Sequence, residues 1–302
     1  MVLFQLMTRR KLFVTLAAGS AVSAFGRPAG PIVDTHIHLF ASDQKRFPLA
    51  PNSPYKPETL NVEDYVRFAK AAGVDHAVIV HPEPYQDDYR YLEYCFTQEP
   101  VKGFFKGTCL FDPVARDTPD RIASLVGMNP GRIVALRIHQ TRKPGLPPTT
   151  SGALKDRDMR APGMKATWRR CQQLGLAIQM HFHPFYATQI AELTEQFPDI
   201  TVILDHLGRS AEGTPADFAN VLKLAKFPKV VMKYSSAKAE MKPMVRKIYD
   251  AFGPNRLIWG YFGHDAPTFQ KELDLLDGMF DYASDDDRYK IRGGNAIKLF
   301  KW

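Results

Sequence analysis

Cysteine is scarce in this chain: three residues, Cys95, Cys109 and Cys171, among 302. An odd, small number argues against a disulfide framework. Beyond residue 30 no apolar run reaches the roughly 18–20 residues needed to span a bilayer. No Gly-x-Gly-x-x-Gly follows the first β-like run, which weakens a dinucleotide-binding reading. The 20 glycines fall without a period, so a collagen-like repeat is excluded. No basic stripe interleaved with aromatics is present, and that argues against a nucleic-acid partner. The formal charge is +8, from 40 Lys and Arg against 32 Asp and Glu. Residues 1–30 hold Arg9, Arg10, Lys11 and Arg27 and no acid, so the rest of the chain carries only 36 against 32.

What is present is the profile of a globular chain: 45% hydrophobic, 24% charged and 12% aromatic. That is too apolar for an intrinsically disordered protein. No domain boundary and no internal repeat is visible.

The first thirty residues stand apart. A basic stretch, Arg9-Arg10-Lys11, precedes the short apolar run Val14–Val22, and Val22-Ser23-Ala24 offers a small-residue cleavage site. The Arg9-Arg10 pair before a weakly hydrophobic segment resembles a twin-arginine export signal. Residues 1–30 are therefore expected to be an export signal and linker, with Met7 as an alternative start. The expected location is periplasmic or extracellular. A cytosolic protein with an N-terminal extension is the alternative.

From residue 31 onward, short β-branched runs recur: 32–39, 77–82, 105–112, 133–139, 176–184, 201–207, 230–236 and 257–260. Between them lie amphipathic stretches such as 62–72 before Gly73, 187–197 before Pro198 and 216–227 before Pro228. Eight strands alternating with helices predict a (β/α)8 TIM barrel, built as one domain over residues 31–302. Two connections that follow strands are long, 40–60 and 140–163, and are expected to wall or cover a pocket. Plain surface insertions are the alternative.

Eight of the nine histidines sit at or just after the end of a predicted strand: His36, His38, His81, His139, His181, His183, His206 and His264. Only His76 begins one. Strand C-termini of a barrel converge on one mouth, so these imidazoles are predicted to crowd a single pocket. In Asp34-Thr35-His36-Ile37-His38, residues i and i+2 share a face, and two imidazoles there can converge on one metal ion. Asp34 is expected on the same face one step deeper, with Thr35 and Ile37 turned outward. Arg137 and Lys233 are aimed at the mouth by strand phase, able to hold an oxyanion or a carboxylate, or to form an interior ion pair with Asp34 or Asp205. Arg209 falls just beyond the sixth strand.

Those residues resemble the amidohydrolase superfamily, and more narrowly its amidohydrolase-related group of sugar lactonases, pyrone-dicarboxylate lactonase and non-oxidative decarboxylases. The opening motif is Asp34-Thr35-His36-Ile37-His38. Further matches are Gly131–Arg137, Gln179-Met180-His181, Val231–Ser235, Leu257–Gly260 and Gly294–Phe300, and the most specific is Leu204-Asp205-His206-Leu207-Gly208-Arg209. The resemblance implies a metal held by His36, His38, His181 and an aspartate after strand 8. It also implies His206 as a ligand or a catalytic acid or base. His183 shares the face of His181 and competes with it, or serves as a hydrogen-bonded loop residue. The chain departs from the family pattern in Gly260–Pro267, where Asp265-Ala266-Pro267 comes three residues late. Either Asp265 is carried back to the site or His264 replaces it. Arg137 stands where binuclear members of the superfamily carry a bridging lysine, so one ion at most is implied, Zn²⁺ or Mn²⁺. Some relatives in the lactonase group work without one.

The implied chemistry is metal-assisted opening of a sugar lactone or similar cyclic ester, with Asp265, His206, Arg137 and Lys233 as catalytic candidates. Decarboxylation on the same scaffold and a non-catalytic sugar- or metal-binding barrel are the alternatives. The expected partner is a small-molecule substrate, with homodimer formation left open.

Overall fold

The structure, a computed structural model, describes residues 30–150, 154–261 and 265–302. The expected export signal lies outside the described residues but for Gly30, and so does His264.

Eight parallel strands follow one another around a single sheet in chain order. They are β1 (Val33–Ile37), β2 (His76–Ile79), β3 (Phe105–Cys109), β4 (Ile133–Gln140), β5 (Ala177–Phe182), β6 (Val202–Leu204), β7 (Val230–Tyr234) and β8 (Leu257–Trp259). Each lies at a predicted run. Helices α1 (Val62–Ala72), α2 (Arg90–Thr97), α3 (Thr118–Met128), α4 (Pro162–Gln173), α5 (Ala187–Gln196), α6 (Pro215–Lys223) and α7 (Lys242–Phe252) fill the intervals. The chain ends in α8 (Ala266–Met279), α9 (Asp285–Tyr289) and α10 (Asn295–Phe300). This is a (β/α)8 TIM barrel in one domain.

Local signals explain where the helices stop and start. Asn61 caps α1 by accepting from the Asp64 N–H, and Gly73 ends it in the left-handed region. Thr214 and Asp217 form a reciprocal capping box before α6, with Pro215 in the first turn. The apolar faces of these helices pack on the outside of the barrel around Tyr65, Leu92, Trp168, Ile190 and Ile248. All three cysteines are buried free thiols. No helix among the described residues is long and apolar enough to cross a membrane.

Inside the barrel, strand alternation builds layers. The floor is apolar: Val33, Val78, Ala135, Ala177, Ile203, Val231 and Ile258, closed from below by Ala296 and Phe300 of α10. Two residues further along four strands stand Arg137, Gln179, Asp205 and Lys233, all buried. Two further again come His139, His181 and Ser235. The site is therefore a polar storey resting on an ionic one, with hydrocarbon beneath.

The ring closes without a strand ladder between β8 and β1 among the described residues. Side chains do that work. The Thr35 hydroxyl donates to the Trp259 carbonyl at 2.6 Å, and Asp34 Oδ1 accepts from the Tyr261 N–H at 2.9 Å. Gly260 makes the approach feasible: a Cβ there would stand 2.7 Å from the Cβ of His36 and 3.0 Å from the Thr35 hydroxyl.

Candidate active site

His36 and His38 share a face of β1 as expected, and their Nε2 atoms lie 3.2 Å apart with the rings edge to face. The rest of β1 differs from simple alternation. Its register against β2 shifts between Asp34 and Ile37, so Val33 belongs to the barrel floor while His36 also faces inward. Asp34 does not sit below the histidines on their face. It is tied to the wall of the barrel, where Oδ2 accepts from Tyr65 of α1 at 2.8 Å and Oδ1 from the His36 and Tyr261 N–H groups. Burial pushes its carboxyl up to about 6 against those hydrogen bonds.

Asp205 anchors the ionic layer. Its Oδ2 accepts from Arg137 Nε and Gln179 Nε2, each at 3.0 Å. Its Oδ1 lies 3.3 Å from Lys233 Nζ and 3.7 Å from His36 Nδ1. Burial alone would raise its pKa, but Lys233 and Arg137 outweigh burial and hold the carboxyl well below the usual range. Lys233 is fully enclosed and also donates to the Thr35 carbonyl at 2.9 Å. Its ammonium lies under the cavity rather than in it, in the interior ion pair that was the alternative reading. Arg137 does both: it reaches Asp205 below and lines the cavity above.

A turn with unusual backbone carries His206. After β6, residues His206, Leu207, Gly208 and Arg209 all have positive φ, from 48° to 64°. Left-handed backbone costs a non-glycine residue about 1–2 kcal/mol, so this run is held by its surroundings. It lays the His206 ring against His36, centroids 4.5 Å apart. His206 Nδ1 meets the hydroxyls of Ser235 at 2.9 Å and Ser236 at 3.2 Å. His181 packs edge to face on His206, and His139 on His181.

These imidazoles are neutral at pH 7. Burial, then the charge of Lys233, holds His36 well below the ordinary value of 6.5. Burial, then Arg137, does the same for His38 and His181, and burial pushes His206 down to about 3. The His38 tautomer is set by its 2.7 Å contact with the Val80 carbonyl, which can only accept. Nδ1 therefore carries the proton and Nε2 presents a lone pair toward His36.

The donor chemistry fits a divalent cation. Two Nε2 atoms about 3.2 Å apart match the separation of two ligands at Zn–N distances of roughly 2.0–2.1 Å in tetrahedral geometry. Ligand atoms of His36, Asp205 and His206 also lie within 4.8 Å of one another.

The remaining candidates have other places. Asp265 is exposed and begins α8, its Oδ1 accepting from the Thr268 N–H at 2.7 Å. Asp-x-Pro is itself a helix-start signal, and here the carboxylate acts as that cap. Asp265 is not among the described residues lining the cavity. His183 caps the short turn 184–186 by accepting from the Phe185 N–H. His81 is buried, with Nε2 on the Gln86 carbonyl and its ring on Tyr89.

The cavity over the imidazoles measures about 440 Å³, a size suited to a small ligand. The connection 40–60 supplies Tyr55 to its wall, and the turn after β6 supplies Arg209 and Glu212. Glu83, which follows β2, pairs with His139 Nδ1 at 3.0 Å. Sequence reasoning singled out neither Glu83 nor Glu212. The only signal for Glu83 was its place two residues beyond His81.

Comparison with known proteins follows the same lines. A family model described as amidohydrolase matches residues 33–302. The chain is 25% identical over 297 residues to a 4-sulfomuconolactone hydrolase from Hydrogenophaga intermedia, covering 88% of each. It is 23% identical to an L-fucono-1,5-lactonase from Burkholderia ambifaria, covering 89% of this chain and 95% of the relative. Among solved structures, a Pseudomonas putida protein assigned as a 2-pyrone-4,6-dicarboxylic acid hydrolase superposes with a TM-score of 0.71 at 20% identity, over 90% of this chain and 97% of that one.

Proposed function

The chain belongs to the amidohydrolase family, and on that premise we propose that it is a metal-dependent hydrolase that opens a lactone. The observation that carries the reading is the pair of neutral, buried imidazoles, His36 and His38, whose Nε2 atoms converge at the floor of a small polar cavity. The lactone hydrolases that resemble the chain along nearly its whole length support the substrate class.

His36 and His38, with His206 packed against His36, would hold one Zn²⁺ or Mn²⁺, and His181 faces them. A divalent ion there supplies Lewis acidity at the ester carbonyl and at the attacking water. The chain's own residues do the rest. His206, neutral and anchored through Nδ1 by two serine hydroxyls, takes the proton of the attacking water at Nε2. It returns that proton to the ring oxygen as the acyl C–O bond breaks. Arg137 sits at the cavity wall where negative charge gathers on the carbonyl oxygen. Lys233 acts from below as a positioning residue, fixing Asp205 and the His36 ring. We also infer that residues 1–30 direct export, a reading supported by the twin-arginine pattern alone.

Decarboxylation is less well supported, because the described lining offers no apolar wall for a flat unsaturated acid. The test is acid release from aldonolactones by protein loaded with Zn²⁺ or Mn²⁺, comparing wild type with His206→Asn and Asp265→Asn. His206→Asn is expected to lower kcat by about a hundredfold or more, in the range for a general base. A larger loss in Asp265→Asn at an unchanged unfolding temperature would transfer the proton to Asp265. Release of CO₂ from carboxylated dienes, with no lactone opened, would replace hydrolysis altogether.

A further inference from the structure

The relatives divide over the charge of their substrates, since one is named for a sulfonated lactone and another for an uncharged sugar lactone. We propose that this cavity takes an uncharged, polyhydroxylated lactone and discriminates against one bearing a carboxylate or sulfonate. The inference rests on the lactonase reading above.

Recognition of an anionic group in a pocket calls for a cation whose charge is not already answered. Both arginines of this cavity are answered from within the protein. Arg137 Nε is bound to Asp205 Oδ2 at 3.0 Å, and Arg209 grips both oxygens of Glu212, Nε to Oε1 at 2.7 Å. The one lysine beneath the site is sealed off and matched to the same Asp205. Against these cations the wall places two carboxylates, Glu83 and Glu212. Glu83 is fixed in place, its side chain only 13% exposed and held by His139 at 3.0 Å. An anion entering would meet that carboxylate with no surplus positive charge to offset it.

The hydrogen-bonding capacity points the same way. Among the described residues every side chain of the lining bears a polar group, and none is aliphatic. Four are imidazoles: His38, His139, His181 and His206. A neutral imidazole offers one donor and one acceptor, as a hydroxyl does, whereas an anion only accepts. Buried ring atoms at His139 Nε2 and His181 Nδ1 have no hydrogen-bond partner in the described structure. Unpaired polar atoms of this kind are costly unless a ligand or water satisfies them. Carboxylates such as Glu83 and Glu212 accept strongly from sugar hydroxyls. Tyr55 offers a ring against which a pyranose face can lie.

The test compares glucono-1,4-lactone with glucaro-1,4-lactone, which differ by a terminal CH₂OH against a carboxylate. The enzyme is the metal-loaded full chain at pH 7. Wild type is expected to favour the neutral lactone in kcat/KM by about tenfold or more, since like charges brought together at a binding site are disfavoured by at least that much. Glu83→Gln combined with Glu212→Gln leaves two arginine charges in excess, and the preference is expected to swing toward the glucarolactone by about tenfold. The swing should shrink as salt is raised. An unfolding temperature near that of wild type shows that the double variant is folded, and the single variants serve if it is not. Equal or better opening of the glucarolactone by wild type overturns the charge inference and leaves the lactonase reading intact. A preference that does not move in the variants also overturns it. If neither lactone is opened, the lactonase reading falls and this one with it.

Discussion

Glu99 illustrates how a single charge can fasten a strand entrance. Arg132, just before β4, grips both its oxygens at 2.6 Å. The Gly103 and Phe105 N–H groups donate to the same carboxylate at 2.9 and 3.3 Å. Burial pushes this carboxyl up, but Arg132 and the two backbone donors outweigh it and hold the pKa below the ordinary 4.5. The ionised form therefore prefers the folded state. Its contribution is complete above the unfolded pKa and is lost as pH falls through the lower folded one. Glu99→Gln is expected to lower stability at pH 7 by about 1–3 kcal/mol, the worth of a charged hydrogen-bonded group. Urea titrations of both proteins should show the gap closing below pH 4.5. A gap that stays constant into acid would mean that packing, not charge, is at stake.

At the scale of elements, the seam between β1 and β8 governs the site. Three side-chain contacts and one close approach replace a ladder there, and His36 stands on the seam. Gly260→Ala would drive a methyl into the Cβ of His36. The expected cost is about 1–3 kcal/mol, as for an overpacked core, with a fall in bound metal measured on the purified protein. A variant with normal stability and full metal content would show that the seam is looser than drawn.

Elements also show what a sequence can and cannot disclose. The eight strands and α1 were legible because β-branched runs and 3.6-residue spacing are local signals. The shared face of His36 and His38 was legible because i and i+2 agree even in a distorted strand. The place of Asp34 was not, because a register shift against β2 is set by the neighbour rather than by β1. The left-handed turn at 206–209 was hidden because His, Leu and Arg do not advertise positive φ, and only Gly208 does. The Glu83–His139 pair joins residues 56 positions apart, a distance no local pattern spans. Asp265 reads as a ligand from the family motif and as a helix cap from local chemistry, and the structure shows the cap.

For the molecule as a whole, a metal that binds only the folded chain must add stability by mass action. Ligand at a hundred times its dissociation constant contributes about 2.7 kcal/mol. For a chain of this size that corresponds to an unfolding temperature raised by roughly 5–10 °C. Adding Zn²⁺ to chelator-stripped protein should produce the rise in a calorimeter. His36→Ala with His38→Ala should abolish it. A rise that survives the double substitution would move the ion elsewhere.

The join between the Thr35 hydroxyl and the Trp259 carbonyl links residues 224 positions apart, and it bears on how the molecule comes into being. A ribosome that has released His36 must still deliver more than two hundred further residues before the partner strand arrives. Until then the imidazoles lack their seam, and the Asp205–Lys233 clasp has yet to be made. No amino-terminal fragment, nascent or proteolytic, should therefore own a working pocket: catalytic competence comes with the last stave of the cask.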